Sequence, residues 1–516
     1  MTHVVPDTAS RDLASSSSGE ISDHRLREAE RRLAEGDALC GVGQLDEAEK
    51  RYRASLALSP SYVMAFNNLG WVREAKGDPN EAVVCYRRAL SLDPKLSVAR
   101  RNLAPLLVRL GRREESLPLF HEALAGGEEA GTQWLHRLIA AEMSRADLSL
   151  AGEFAAVLAS LKWGSTWRPP FKNIALKPPI LPPQARQLTI PKLAHDIEQF
   201  TYLQERGVLG QEFDAVKADY QSLIELLTPR GREIRVLLEG EWYRRIGHVY
   251  NRIINVRGTP RVRQALSPSW DTTAVQRMYL ELAPGVVVID NFLTPEALDG
   301  VQRFCLESTV WSGNRYAHGR FGAFFHDGFN CPLLLQISEE LRRALPSIIV
   351  DRYPLRQLWG FKNGSRLPGD STTHADFAAV NVNFWITPES ANLDPTTGGL
   401  VVYGVDAPLH WDFATYNGRS DIIKPFLKQQ EAKSIVVPYK QNRAIIFNSD
   451  LFHGTQELNF RPGYENRRIN VTMLYGDREN DVHHRELARP DPMSGANPSF
   501  AQWRSGAFAR SRRSRG

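Results

Sequence analysis

The 516-residue sequence predicts an α+β multidomain protein with an N-terminal α-solenoid and a C-terminal double-stranded β-helix, or jelly-roll. Two observations predict this combination. Residues of matching type recur every 34 positions in the first quarter of the chain, whereas short apolar runs separated by turn residues follow Gly285. The first pattern is typical of stacked helical pairs, and the second is typical of antiparallel strands. We therefore expect helices and strands to be segregated along the chain.

The N-terminal pattern agrees in register at three kinds of position. The 34-residue spacing relates Gly43, Gly77 and Gly111, the small residues Ala48, Ala82 and Ser116, and the aromatic residues Tyr52, Tyr86 and Phe120. Small residues where helices cross, with an aromatic residue beside them, are the tetratricopeptide signature. It predicts three repeats over residues 26–128, capped by a helical pair between Trp134 and Leu161. Such a solenoid offers a surface for a peptide or protein partner; the alternative is that it only supports the neighbouring domain or a homodimer.

Composition sets the remaining domain boundaries. Residues 1–22 are polar and rich in serine and predict a disordered start, so that the solenoid domain spans 23–162. Residues 163–275 begin as a proline-rich linker and continue as a connecting helical region whose role the sequence does not reveal. The β-rich domain spans 276–488, and the basic tail 489–516 is predicted to be disordered.

Composition also narrows the class of protein. No apolar run approaches the roughly 18 residues that a membrane span needs, and the N-terminus has no apolar signal core. The four cysteines show no C-x-x-C spacing, which argues against a thiolate zinc site or a disulfide framework. The net charge is only +5, and its excess lies in the tail, so nucleic acid is not an expected partner. We expect a cytoplasmic enzyme.

The β-rich domain opens with a predicted strand at 286–293 and a helix at 295–307, whose N-cap is Thr294 followed by Pro295. A second helix is predicted at 333–345 and a further strand at 358–361. These elements precede the stretch that begins at His374. Most of the candidate site residues lie in that stretch.

The candidate metal ligands are His374, Asp376 and His453. The first two directly precede the predicted strand 380–386, and His453 follows the strand 444–447, 77 residues after Asp376. That distance leaves room for the strands that close a double-stranded β-helix. Two histidines and a carboxylate cover one face of an octahedral Fe(II) ion and leave three positions open. A second H-x-D motif, His410 to Asp412, lies in a predicted loop and is not favoured.

These residues resemble the Fe(II)- and 2-oxoglutarate-dependent dioxygenases, nearest to the prolyl-hydroxylase-like branch. The resemblance covers 285–478 and is carried by Val288 to Glu296, His374-Ala375-Asp376, Gly398-Gly399-Leu400, Phe447, His453 and Arg468 to Thr472. It implies that His374, Asp376 and His453 bind Fe(II), and that the chain uses 2-oxoglutarate and O2 to hydroxylate an unactivated C–H bond, releasing succinate and CO2. Asp376 favours hydroxylation, since members of the family that halogenate lack this carboxylate.

The resemblance also implies an arginine for the co-substrate carboxylate, which Arg grips bidentately. In that family the arginine opens the strand after the distal histidine, and a small polar residue follows a few positions on. Arg468 with Thr472 fits this pattern, and alternation puts Arg468, Asn470 and Thr472 on one strand face. Arg467 would have Val471 at the matching place, so Arg468 is preferred.

Further candidates are less specific. Asn383 could bind the co-substrate or be satisfied by the backbone of a buried strand, and Trp359, His318 and Arg320 could contact substrate or belong to the core and an ordinary loop. The substrate class stays open between a peptide, a protein and a natural-product intermediate. The alternatives to this enzyme are a non-catalytic tetratricopeptide interaction protein with a degenerate jelly-roll, and a cupin-like metalloenzyme that uses no 2-oxoglutarate.

Overall fold

The computed structural model describes residues 9–125, 131–163, 183–231, 233–316, 319–349, 353–367 and 373–478. The chain divides into two compact units, of which the first reaches to Trp134 and the second begins at Leu135. Predictions that concern His318, residues 1–8, most of the proline-rich linker and the basic tail 489–516 lie outside the described residues.

The first unit, hereafter the solenoid, consists of paired helices. They are α1 (Ala9–Gly41), α2 (Leu45–Leu58), α3 (Val63–Ala75), α4 (Pro79–Leu92), α5 (Ser97–Arg109) and α6 (Arg113–Ala125). The turns inside the three successive pairs contain Gly43, Gly77 and Gly111, with φ of +77°, +82° and +71°. Side chains rarely adopt this left-handed conformation, so the 34-residue glycine period follows from the repeated turn.

The solenoid core contains the residues that the period predicts. Tyr52, Tyr86 and Phe120 are fully buried, and Ala48 and Ala82 are as well. Small residues are required where the helices meet, because a Cβ added at Gly70 would come within 2.8 Å of the Tyr86 ring. The repeat pattern therefore encodes close helix packing as well as helix ends.

The start of α1 differs from the prediction. The helix begins at Ala9, within the segment 1–22 that composition predicts to be disordered. Residues 9–41 contain no proline, which would interrupt the helix, so α1 can extend without a break to Ala9.

The second unit, hereafter the sheet unit, contains the remaining helices; only α7 begins before the division. The helices are α7 (Gly131–Ser144), α8 (Leu148–Trp163), α9 (Ile190–Glu205), α10 (Phe213–Leu227), α11 (Gly240–Ile246), α12 (Thr272–Glu281), α13 (Pro295–Glu307), α14 (Pro332–Ala344), α15 (Phe413–Gly418) and α16 (Ser420–Gln429). Short 3-10 helices occupy Pro183–Arg186, Thr228–Arg230, Phe325–Asp327, Glu389–Ala391 and Tyr464–Asn466. The predicted helices at 295–307 and 333–345 correspond to α13 and α14.

The boundary at 162 that the sequence predicts does not coincide with the division of the structure. At the end of α8, the Lys162 ammonium and the Trp163 indole N–H both donate to Asp327, at 2.8 Å and 2.7 Å. These bonds tie the second helix of the predicted capping pair to the sheet unit. Sequence periodicity cannot reveal this, because it reports which face of a helix is buried and not which neighbour buries it.

The connecting region 163–275 is also part of the sheet unit wherever it is described. Thr189 caps α9 and its hydroxyl donates to Asn314 at 3.2 Å, and the Gln199 amide donates to the carbonyls of Leu306 and Ser308. The helix α9 is therefore a packed layer of this unit, and it lies in the part of 163–275 that is predicted as a connecting helical region.

The strands form two larger antiparallel sheets and two short pairs. They are β1 (Gln187–Leu188), β2 (Val236–Leu237), β3 (Val287–Ile289), β4 (Gly313–Tyr316), β5 (Arg320–Phe324), β6 (Leu355–Asn363), β7 (Arg366–Leu367), β8 (Val380–Trp385), β9 (Leu400–Asp406), β10 (Ser434–Val437), β11 (Ala444–Asn448), β12 (Leu451–Thr455), β13 (Leu458–Asn459) and β14 (Ile469–Tyr475). The larger sheets have the orders β3-β11-β8-β14-β6-β5-β4 and β10-β9-β12. The strand predicted at 286–293 is shorter, and that predicted at 358–361 is longer.

The two larger sheets share one apolar core. It joins Trp385 and Phe447 of the seven-stranded sheet to Leu400, Val402 and Leu451 of the three-stranded sheet. Strand β14 lies in the middle of the larger sheet and every one of its residues is buried. The sequence pattern of short apolar runs thus produces an α+β unit with a buried central strand. None of the helices in the described ranges combines the length and apolar character that crossing a bilayer requires.

Candidate metal centre

The structure brings His374, Asp376 and His453 together. His374 precedes β8 and pairs with His453 of β12 through an isolated antiparallel bridge. Each backbone N–H donates to the other residue's carbonyl, at 3.0 Å and 2.8 Å. The two imidazole rings are 4.6 Å apart, because directly opposed residues on antiparallel chains place their side chains side by side.

Asp376 completes the group from the same short segment. Its carboxylate oxygens lie 3.7 Å from His374 Nε2 and 3.4 Å from His453 Nε2. One ligand atom from each of the three residues fits within a span of 4.8 Å, and no other cluster of this kind occurs among the residues that the structure describes. Burial raises the pKa of Asp376, but its interactions with the His453 and His374 rings outweigh burial, so that the net pKa is lowered.

The His453 ring is held in the orientation that a metal ligand needs. Its Nδ1 lies 3.0 Å from the carbonyl oxygen of Leu451, which can only accept, so Nδ1 carries the proton. The other ring nitrogen, Nε2, therefore keeps its lone pair and faces Asp376. A histidine tautomer fixed in this way is the usual arrangement of a metal-binding imidazole.

Arg468 lies in the same cavity. Its side chain is buried, and its guanidinium donates to the carbonyls of Gly398 at 2.6 Å and Gly399 at 3.5 Å and to the Asn470 amide oxygen at 3.0 Å. Burial lowers the pKa of Arg468 to about 9, so the group remains cationic at neutral pH. Within the described part of the chain no carboxylate pairs with it.

A continuous series of hydrogen bonds joins this arginine to the metal-binding carboxylate. Asn470 accepts from Arg468 and donates to Thr472 at 3.4 Å, and Thr472 donates to Asn383 at 2.5 Å. Asn383 in turn donates to Asn381, which donates to Asp376 at 2.7 Å. Strand register explains the series, since Thr472 on β14 lies directly opposite Asn383 on β8. The polar residues of two buried strands are thus satisfied by each other.

The neighbouring Arg467 is directed elsewhere. Its guanidinium donates to Glu198 of α9 at 2.8 Å, whereas Arg468 lines the cavity. Alternation along an extended chain sends consecutive side chains to opposite faces, which accounts for the difference. The geometry therefore agrees with the preference for Arg468, while its role in binding a co-substrate stays a prediction.

The cavity gathers most of the other predicted site residues. Its lining comprises Arg320, Trp359, Phe361, His374, Asp376, Asn383, Trp385, Leu400, His453, Gly454, Thr455, Arg468, Asn470 and Thr472. Trp359 and Arg320, which are predicted to contact substrate, line this cavity, while that contact stays a prediction and His318 lies outside the described residues. The second H-x-D motif is not part of the cavity, because His410 is exposed and Asp412 caps α15 by accepting from the Thr415 N–H.

Sequence reasoning missed Asn381 as a site residue. The stretch Val380-Asn381-Val382-Asn383-Phe384 alternates apolar and amide side chains in a strand that is buried on both faces. Buried amides on one face need partners, so this alternation was a usable signal of a polar interior. Thr455 was also missed, and no pattern in the sequence distinguishes it from an ordinary strand residue.

Comparisons with known proteins identify one segment of the chain. Residues 63–96 match the family model of the tetratricopeptide repeat. This segment consists of α3 and α4 and corresponds to the middle predicted repeat. No curated protein is significantly similar to the chain in sequence.

Solved structures give only distant similarity. The non-heme alpha ketoglutarate dependent epimerase SnoN from nogalamycin biosynthesis is 14% identical over 44% of this chain and 93% of its own, with a TM-score of 0.31. The corresponding carbocyclase SnoK is 12% identical over 46% of this chain and 97% of its own, with a TM-score of 0.29. A mutant O-GlcNAc transferase of Thermobaculum terrenum is 16% identical over 34% and 35%, with a TM-score of 0.22. At these TM-scores the similarity has no bearing on the chemistry.

Proposed function

We propose that the sheet unit is a jelly-roll dioxygenase that depends on Fe(II) and 2-oxoglutarate and hydroxylates an unactivated C–H bond, with release of succinate and CO2. The observation that carries this proposal is Arg468. A buried cation bonded only to neutral oxygens within the described part of the chain lies in one cavity with two histidines and a carboxylate. Burying an unpaired charge is costly, so this arginine requires an anionic ligand.

The donor set fits a divalent iron ion. His374, His453 and Asp376 present two imidazole nitrogens and one carboxylate oxygen that lie within 4.8 Å of one another. This is the two-histidine, one-carboxylate arrangement of non-heme Fe(II) oxygenases, in which further coordination positions stay open. Zinc accepts similar donors, but as a d¹⁰ ion without redox chemistry it could not activate O2 in the proposed reaction.

Arg468 supplies the second half of the co-substrate site in this proposal. Its guanidinium would bind the carboxylate of 2-oxoglutarate that lies farther from the metal, with Thr472 and Asn383 at its side. The bound iron supplies the activation of O2 and of the keto acid. The chain's own contribution is to hold the three ligands, to orient the co-substrate and to keep water away with Trp385 and Leu400.

The solenoid is suited to binding another peptide or protein. Tetratricopeptide repeats mediate protein–protein interactions, and one repeat is identified at 63–96. We therefore propose that the solenoid binds a peptide or protein, either the substrate itself or a protein that delivers it. A homodimer would use the same surface, and sedimentation of the purified chain distinguishes the two.

The test of the oxygenase proposal is anaerobic. Purified protein receives Fe(II) and then 2-oxoglutarate, and absorption spectroscopy follows the weak visible metal-to-ligand charge-transfer band. We expect the band in the wild type and its loss in His374→Ala. His410→Ala is the matched control, because it removes the exposed histidine of the second H-x-D motif.

Three results would revise the proposal in different ways. Iron binding without the band favours a cupin-like metalloenzyme that uses no 2-oxoglutarate. An equal loss in His410→Ala would show that the band does not report on the predicted ligands. A chain that binds no iron leaves the solenoid as the functional part and supports the non-catalytic interaction protein.

A further inference from the structure

We propose that the helical segment 407–433, which lies between β9 and β10, holds the first two proposed metal ligands in place, and that Asn417 is the positioning residue through which it acts. The inference rests on the proposed function, since it concerns the residues proposed to bind iron. Three observations support it. They are the bonds of the residue between the two ligands, the apolar cluster that the segment forms, and the attachment of the segment to the chain that follows β14.

Ala375 separates His374 from Asp376, and the segment bonds both of its backbone polar groups. The Ala375 N–H donates to the Tyr416 carbonyl at 3.0 Å, and the Asn417 side-chain amide donates to the Ala375 carbonyl at 2.9 Å. Ala375 is fully buried, so these two groups need partners within the protein. The segment therefore fixes the peptide groups that join Ala375 to the ligands on either side.

The two ligands themselves are held by other parts of the chain. His374 exchanges backbone hydrogen bonds with His453 of β12, and the Asp376 N–H donates to the Ser449 carbonyl at 3.0 Å. In an extended chain, residues two positions apart face the same side, and the residue between them faces the other side. The orientation of Ala375 consequently determines whether the His374 and Asp376 side chains converge on one ion.

The apolar cluster of the segment reaches the backbone next to every proposed ligand. Its buried members are Ala375, Ala407, Tyr416, Ile423, Leu427 and Phe452. Ala375 lies between the first two ligands, and Phe452 directly precedes His453. The ring centre of Trp411, also in the segment, lies 6.1 Å from that of Phe452. Packing at this density limits the movement of the segment relative to the ligands.

The segment is also attached at its first residue. The buried Arg478, which follows β14, donates to the Ala407 carbonyl and forms an ion pair with Asp450. The Arg478 guanidinium carbon lies 4.4 Å from the centre of the Tyr416 ring. These contacts give Tyr416 and the adjacent Asn417 a defined position, which a positioning residue requires.

The experiment replaces Asn417 with Leu, which has a similar size but cannot donate a hydrogen bond. The metal-free protein is titrated with Co(II), because the visible absorption of this ion depends on the number and arrangement of its ligands. We expect Asn417→Leu to bind Co(II) about tenfold more weakly than the wild type, as the loss of an outer partner does at its smallest. We also expect the absorption spectrum of the bound ion to change, which a loss of stability alone would not cause.

Asn330→Leu is the matched control. The Asn330 amide also donates to a backbone carbonyl, that of Phe325 at 2.7 Å, and both asparagines are half-buried. We expect Asn330→Leu to bind Co(II) with the affinity and the spectrum of the wild type. If Asn417→Leu does not fold, Asn417→Asp takes its place, because the carboxylate keeps the size of the amide and likewise cannot donate.

Two results would overturn the inference. One is an Asn417 variant with the Co(II) affinity and spectrum of the wild type. The other is an equal loss of affinity in Asn330→Leu, which would make the effect a general one. If the wild type binds no Co(II), the proposed function fails, and hydrogen exchange of residues 373–380 in the metal-free protein decides the inference. Faster exchange in the Asn417 variant than in Asn330→Leu supports it, and equal exchange overturns it.

Discussion

The solenoid and the sheet unit both pair their buried amides, but the sheet unit also holds a buried charge in its cavity. In the solenoid, Asn102 donates to Asn67 at 3.1 Å and Asn68 donates to Asp37 at 2.8 Å, so that buried polar groups are satisfied by nearby helices. In the sheet unit, polar groups converge on one cavity, and Arg468 keeps its charge there without a carboxylate among the described residues. Satisfied polar groups specify packing, whereas a charge left unneutralised indicates a ligand.

The largest expected effect tests that contrast at Arg468. Replacing it with Gln removes two charge-assisted hydrogen bonds to the proposed co-substrate, each of which contributes about 1.5–3 kcal/mol. We expect 2-oxoglutarate affinity to fall at least 30-fold, equivalent to about 2 kcal/mol, with metal affinity retained. Calorimetric titration of the Fe(II)-loaded protein under argon measures the first quantity, and Mn(II) binding followed by electron paramagnetic resonance measures the second.

Arg467→Gln is the matched control for that variant, since it removes the adjacent arginine, whose guanidinium donates to Glu198. Its affinity for 2-oxoglutarate should equal that of the wild type. A larger loss in Arg467→Gln than in Arg468→Gln would mean that the wrong arginine has been assigned.

The second effect concerns the hydrogen-bond series behind the metal ligands. Asn381→Leu removes the donor to Asp376 while keeping all three proposed ligands. Loss of such an outer partner costs roughly 10- to 100-fold in metal affinity, and we expect Mn(II) binding to weaken within this range. Thr396→Val is a suitable control, because that hydroxyl bonds only Asp394 in an exposed turn. If Asn381→Leu binds Mn(II) as tightly as the wild type, the hydrogen-bond series that ends at Asp376 does not contribute to metal binding.

The two units also differ in how much of their structure the sequence could predict. The solenoid could be predicted because its helices contact helices that are close to them in sequence. Each helical pair also needs the same left-handed turn, at Gly43, Gly77 and Gly111. In the sheet unit, the ligand triplet and the choice of Arg468 followed from strand alternation and resemblance, and the structure brings these residues together.

What could not be predicted depends on contacts between distant parts of the chain. The bridge between His374 and His453 and the bond between Asn381 and Asp376 depend on register, which local sequence does not fix. The docking of α8 and α9 onto the sheet unit was missed for the same reason: residues 162, 163 and 199 find their partners more than 100 positions away.

The third effect confines a perturbation to the solenoid. Gly70→Ala would normally favour a helix by about 1 kcal/mol, but here the new methyl meets the buried Tyr86 ring at 2.8 Å. We expect a net destabilisation of about 1–2 kcal/mol, since overpacking a filled core costs more than the propensity gained. Hydrogen exchange of peptides from 63–92 measures it. Val84→Ala, at an exposed helix position, is the control. Altered 2-oxoglutarate binding in Gly70→Ala would show that the perturbation is not confined to the solenoid.

The smallest effect concerns surface charge in the sheet unit. Asp290 accepts two hydrogen bonds from Arg443 and one from Lys440, and these cations lower its pKa from 3.8 to about 2. A depressed folded-state pKa gives stability that is complete above the unfolded value and is lost as the pH falls towards 2. Because the carboxylate is partly exposed, Asp290→Asn should cost at most about 1 kcal/mol near pH 6, and less at each step below pH 4. Denaturant unfolding at several pH values measures the difference, with Asp299→Asn, whose single ion pair is more exposed, as the control. A pH-independent difference would mean that the negative charge of Asp290 does not contribute to stability.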